Sequence, residues 1–159
     1  MKQIWAPWRM QYILGPKENS CVFCFDAAED QNRHVLKRSE RAFVLLNKYP
    51  YINGHLLVVP NEHVSRPKDL TAEDFNSLTA LLLESIEVVE KTLAPDGLNV
   101  GMNLGEVAGA GIDDHMHFHI VPRWSGDHNY MAVLGEVRMI NQHLDETYRQ
   151  LKPAFDSLG

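Results

Sequence analysis

The stretch His115-Met116-His117-Phe118-His119-Ile120-Val121-Pro122 constrains this chain more than any other. Its alternation of imidazole and apolar side chains has the period of an extended strand, so His115, His117 and His119 share one face while Met116, Phe118 and Ile120 share the other. The apolar face belongs against a core, and the histidine face then lines a surface or a cleft. Three readings fit. The first is a solvated strand face, although such faces usually mix Thr, Lys and Glu. The second is a metal site made of all three histidines. On a straight strand the Cα atoms of residues 115 and 119 lie about 13 Å apart, so three bonds of about 2.0 Å to one ion need a sharp bend, and two do not. The third is nucleophilic catalysis at phosphorus. Neutral imidazole is a nucleophile near pH 7, a hydrogen bond at its second nitrogen fixes the tautomer, and a neighbouring imidazole can bind phosphoryl oxygens or protonate a leaving group. His117, in the centre, is the candidate nucleophile.

The rest of the chain says what such a strand would sit in. With 159 residues, 45% of them hydrophobic, it can bury a core without disulfides, and no linker, repeat or low-complexity tract divides it. It reads as one domain over 1–159, opened by an arm (1–20) that carries Trp5, Trp8, Met10, Tyr12 and Ile13 between Pro7, Gly15 and Pro16. Strands are predicted at 34–37, 42–46 and 55–59, a meander turned by Pro50 and Asn53-Gly54, and again at 98–104 and 116–121. Between them Phe75, Leu78, Leu82, Ile86 and Val89 follow a helical period, opened by Thr71 with Asp74 three residues on, which predicts a helix over 71–94. A last helix is predicted at about 136–158 from Val137, Ile140, Leu144, Tyr148, Leu151, Phe155 and Leu158, with Pro153 ending or kinking it. The class is α+β: an antiparallel sheet of about five strands with a central and a C-terminal helix.

Charge and cysteines narrow the function classes. Fifteen Lys and Arg against 21 Asp and Glu leave a net charge of −6, which argues against nonspecific nucleic-acid binding. No apolar run is long enough for a membrane span and no secretory signal opens the chain, so the expected address is the cytoplasm. There Cys21-Val22-Phe23-Cys24 reads as a metal pair, a redox pair or two small buried residues rather than a structural disulfide.

The seven residues from His115 to Val121 match the His-φ-His-φ-His-φ-φ pattern (φ apolar) of the histidine triad (HIT) superfamily, which the chain resembles. Asn47, Gly54-His55, Leu57-Val58-Val59-Pro60 and Asn103-Leu104-Gly105 look like its fragile-histidine-triad branch. Trp5, Pro7, Arg9, Met10 and Tyr12, with Ala108-Gly109-Ala110-Gly111, Val121-Pro122-Arg123-Trp124 and Gly126-Asp127, extend the resemblance over nearly the whole chain, to bacterial diadenosine tetraphosphate phosphorylases. Uridylyltransferases of the superfamily carry Gln at the third histidine; His119 is similar to the hydrolase and phosphorylase branches.

The resemblance implies a HIT-like fold, a homodimer and a nucleotidyl-transferring or hydrolysing enzyme acting on dinucleoside polyphosphates. His117 would attack the α-phosphorus to give a nucleotidyl-histidine, resolved by phosphate or water, with His119 on the phosphate and His115 supporting the site. Asn47 would hold the ribose, Asn103 would lie near the α-phosphate, and His55 near the nucleotide. Gly109, Ala110, Gly111 and Ile112 would offer backbone N–H groups to the phosphate chain. A phosphoramidate or polyphosphate hydrolase and a non-catalytic nucleotide-binding module are the alternatives. The resemblance also implies a Cys₂His₂ set for structural Zn²⁺, made of Cys21, Cys24, His63 and His115, which would leave His117 and His119 to the phosphate. Mg²⁺ would come with the substrate, and Arg9 and Arg123 would supply local positive charge. His34 and His128 are expected at the surface, and His143 off the apolar stripe of the last helix.

Overall fold

The computed structural model describes residues 21–127, 140 and 142–158, so the expected arm at 1–20 lies outside them. Five strands, β1 (Val35–Arg38), β2 (Ala42–Leu46), β3 (Leu56–Pro60), β4 (Gly97–Gly101) and β5 (Phe118–Arg123), form one antiparallel sheet in the order β1-β2-β3-β5-β4. The meander is therefore β1-β2-β3, and β5 enters between β3 and β4 with Leu57 opposite His119 on one side and Gly101 opposite it on the other. Every residue of β2 and β3 is buried, because both faces of the sheet are covered.

Alternation sorts the two faces. Ala42, Val44, Leu46, Leu56, Val58 and Ile120 face helix α1 (Ala72–Leu93) and helix α2 (Leu144–Asp156), whose Leu78, Leu82, Val89, Leu151 and Phe155 complete the main core. Phe43, Leu45, Leu57 and Val59 point the other way and form a second cluster with Phe23 and Val35. Met116 and Ile120 join the first cluster, as their place on the apolar side of the alternation requires.

Local chemistry explains the ends of the helices. The Thr71 hydroxyl accepts the Asp74 N–H, and Arg41 bonds the Asp74 carboxylate at 2.6 Å. The bonds from Thr71 and then Arg41 hold the Asp74 carboxyl below its usual range. The C-terminal helix is shorter than its apolar period predicts. His143 is its N-cap, accepting the Asp145 N–H, and neither Ile140 nor Gln142 is helical; 128–139 and 141 lie outside the described residues. Pro153 is accommodated inside α2, which stops three residues later at Asp156. Likewise β4 ends at Gly101 rather than 104, and β5 runs from Phe118 to Arg123, so His115, at a bend, and His117 lie just before it.

Candidate active site and metal cluster

Gly54 brings the first half of the site into place. It closes the 47–55 turn with φ +74°, and a Cβ there would lie 2.5 Å from Leu93 Cδ1 and 3.3 Å from Pro122 Cγ. The next residue, His55, is fully buried. Its Nδ1 accepts the Tyr51 backbone N–H at 3.1 Å and the Asn47 amide N–H at 3.2 Å. With two donors aimed at Nδ1, the ring proton sits on Nε2, which donates to His119 Nδ1 at 3.0 Å. That in turn leaves the proton of neutral His119 on its own Nε2. Burial, reinforced by the neighbouring His117, pushes His119 down to about 4, so it is neutral at pH 7.

His117 has the opposite tautomer. Its Nδ1–H donates to the His115 carbonyl at 3.0 Å, and no described residue bonds Nε2, which carries the lone pair. The ring is only 7% exposed, and burial lowers its basicity. His117 and His119 meet edge to face, 4.8 Å between centroids. A lone pair and an N–H thus stand side by side, the arrangement needed to attack a phosphorus and bond the oxygen that leaves it.

His115 turns to other partners. Its Nε2–H donates to the Pro60 carbonyl at 2.9 Å, so its Nδ1 lone pair faces Cys21 Sγ at 3.3 Å and Cys24 Sγ at 3.7 Å. His63 Nδ1 lies 3.3 Å from Cys24 Sγ, and the four ligand atoms all fall within 4.8 Å of one another. Tetrahedral zinc separates sulfur and nitrogen ligands by about 3.6 Å. Two thiols and two imidazole nitrogens form a donor set that can hold a metal ion, with the Pro60 carbonyl orienting His115 through its outer N–H. Burial raises the Cys21 thiol and lowers His115, and a bound cation would oppose the first.

The glycine loop divides its donors. The N–H groups of Gly109 and Ala110 are used inside the loop, donating to the Glu106 and Gly105 carbonyls at 2.8 and 3.3 Å, whereas those of Gly111 and Ile112 have no acceptor among the described residues. Asn103 donates to the Gly109 carbonyl at 3.3 Å and so holds the loop closed.

Several expectations change on this geometry. His55 stands behind His119, fully buried and bonded to its Nδ1. Arg123 donates to both Asp127 oxygens and to Asn99, which leaves it a structural cation; Arg9 and His128 lie outside the described residues. His34 is half-buried, with Nε2 2.6 Å from Asp145 and its ring edge-on to Tyr148. Two further residues at the site are specified by no motif in the sequence. Phe23, between the cysteines, packs on His115 and His117 at 5.5 and 5.0 Å, and Asp114 approaches His63 Nε2 to 3.8 Å. The position of Phe23 inside C-x-x-C is the one signal that could have found it.

Known proteins carry the same frame. A family model described as the HIT domain matches residues 28–126. The AP-4-A phosphorylase of Mycobacterium tuberculosis is 35% identical over 161 residues, 95% of this chain and 83% of that protein. The bis(5'-adenosyl)-triphosphatase of Dictyostelium discoideum is 32% identical over 124 residues, 74% of this chain and 83% of that one. Among solved structures, a zinc-bound histidine triad family protein from Mycobacterium smegmatis superposes with TM-score 0.69 at 27% identity, covering 87% of this chain and 95% of its own. With the matched domain holding all three histidines of the row, the chain belongs to the HIT family, whose enzymes process nucleotides.

Proposed function

We propose that the protein transfers a nucleotidyl group from dinucleoside polyphosphates through a covalent His117 intermediate, with phosphate as the physiological acceptor. His117 Nε2 attacks the α-phosphorus, the bond to the polyphosphate oxygen breaks, and the His119 Nε2–H bonds that oxygen as charge develops. The acceptor then attacks the same phosphorus and the P–N bond breaks, which restores the free imidazole. The N–H groups of Gly111 and Ile112, which have no acceptor among the described residues, take the phosphoryl oxygens, Gly109, Ala110 and Asn103 hold the loop that presents them, and Asn47 reaches the ribose with the polar capacity left after its bonds to His55 and to the Tyr49 N–H. His55 is a positioning residue: its Nε2–H fixes the His119 tautomer.

The observation that carries this reading is the bonding of both rings at Nδ1, His117 to a carbonyl and His119 to His55 Nε2, which assigns them opposite tautomers and leaves both Nε2 atoms without a partner among the described residues. The likeness to the Mycobacterium tuberculosis phosphorylase supports phosphate as acceptor, and the likeness to the Dictyostelium triphosphatase supports water as the second reading. Zinc in the Cys21, Cys24, His63 and His115 cluster would supply a rigid anchor for the strand that carries the nucleophile. We place the enzyme in the cytoplasm as a homodimer, with Mg²⁺ arriving on the polyphosphate. Products of diadenosine tetraphosphate test it: ATP plus ADP forming only when phosphate is present supports phosphorolysis, ATP plus AMP in phosphate-free buffer supports the water reading, and unchanged turnover by His117→Asn sinks both.

A further inference from the structure

The Cys21-Val22-Phe23-Cys24 turn joins the metal cluster to the nucleophile by two routes. One runs through His115, whose Nδ1 faces both sulfurs while its carbonyl accepts the His117 Nδ1–H. The other is Phe23, held in the turn by its own N–H on Cys21 Sγ at 3.4 Å and packed against both the His115 and His117 rings. The turn is closed by the Cys24 N–H on the Cys21 carbonyl at 3.1 Å, and the two sulfurs lie within 4.8 Å. Cys24 is exposed and lines an open cavity of about 420 Å³ with Phe25, Arg38 and Asn61, so a small solute reaches its sulfur.

We propose that Cys21 and Cys24 are a reversible oxidation site for hydrogen peroxide, through which thiol redox state controls His117. The inference rests on zinc occupying the cluster and on His117 as nucleophile. Cys24 sulfur attacks the peroxide, the O–O bond breaks, water leaves and a sulfenic acid forms. Cys21 sulfur then attacks the Cys24 sulfur, the S–O bond breaks, and hydroxide leaves as a second water with a proton from solvent. In sum two thiolates, one peroxide and two protons give one disulfide and two waters. A disulfide offers no thiolate to a metal, and its bond of about 2.0 Å draws together sulfurs that tetrahedral zinc holds about 3.8 Å apart. The turn tightens, Phe23 shifts on the two imidazoles, and His115 loses its partners at Nδ1.

The test treats the zinc-loaded full chain with graded hydrogen peroxide. It follows zinc release to a metallochromic chelator, free thiols, intact mass, the His117 imidazole resonances by NMR, and turnover of diadenosine tetraphosphate. The expected result is that zinc release, loss of both thiols, a mass consistent with one intramolecular disulfide and a shift of the His117 resonances proceed together. Turnover falls at least tenfold with circular dichroism unchanged, and dithiothreitol with Zn²⁺ restores it all. Disulfide formation with turnover and resonances unchanged overturns the coupling. Loss of turnover with both thiols and zinc retained, or oxidation that unfolds the chain, overturns it equally. Failure of the underlying readings shows before peroxide is added, as protein with well under one zinc per chain or with no turnover, and either withdraws the inference.

Discussion

His115, His117 and His119 differ in what they can do because each ring is bonded differently: His115 donates from Nε2, His117 donates from Nδ1 and His119 accepts at Nδ1. A carbonyl takes Nδ1–H of His117, a carbonyl takes Nε2–H of His115, and an imidazole N–H caps Nδ1 of His119, which leaves a nucleophile, a metal ligand and a hydrogen-bond donor. The alternation of the motif placed these side chains on one face of the sequence pattern, but their tautomers depend on Pro60, Tyr51 and Asn47, which lie 55 positions before His115 (Pro60) and 68 and 72 before His119 (Tyr51 and Asn47) and leave no mark in the motif. His55→Phe should keep the fold and lower turnover about tenfold to a hundredfold, with an altered pH profile, since the His119 tautomer is no longer fixed. His55→Gln, which can still donate to His119, should recover part of the loss; equal activity of both variants and the parent would remove the positioning role. His119 also carries a stability signature. Its folded value of about 4 lies below the unfolded value near 6.5, so its contribution is complete above pH 6.5 and is lost as the pH falls toward 4. Thermal melts between pH 7 and 4 should show this loss, and His119→Gln should flatten it.

At the scale of elements, turns and caps set where the site residues stand. The Asn53-Gly54 turn was readable as a turn, whereas its close approach to Leu93 and Pro122 belongs to the assembled fold. Gly54→Ala should cost about 1–3 kcal/mol, combining the left-handed backbone with a contact that Leu93 must relieve, and should impair activity because His55 follows directly. Denaturant melts and turnover measured together check it, and a neutral substitution would mean the turn relaxes freely. Thr71 and Asp74 were legible as a cap, and Thr71→Ala should cost about 1 kcal/mol without touching turnover. The start of α2 was not legible. The apolar period continues upstream to Val137, but a His143 side chain that bonds the Asp145 N–H closes the helix there, and capping overrides periodicity.

Over the whole molecule, the sheet separates two tasks. One face meets the two helices and supplies the main core, and the other carries the second apolar cluster, the histidine pair and the metal cluster side by side. The α+β class and the β1-β2-β3 meander were within reach of the sequence because turn signals and hydrophobic periods mark those elements, whereas the insertion of β5 between β3 and β4 was not; the four metal-cluster residues were named from it because the chain resembles its family at those positions. Burial of the other sheet face was not, since Phe23 and Val35 look like ordinary apolar residues until β2 and β3 place Phe43, Leu45, Leu57 and Val59 beneath them. Metal analysis should find about one zinc per chain, and its removal by a chelator should lower the melting temperature of the whole protein. The covalent step at His117 is tested most directly by quenching the enzyme during turnover of labelled diadenosine tetraphosphate and mapping the label. A nucleotidyl group on the peptide carrying His117, absent in His117→Asn, is the predicted result; turnover with no labelled protein at any time in the first cycle would contradict it.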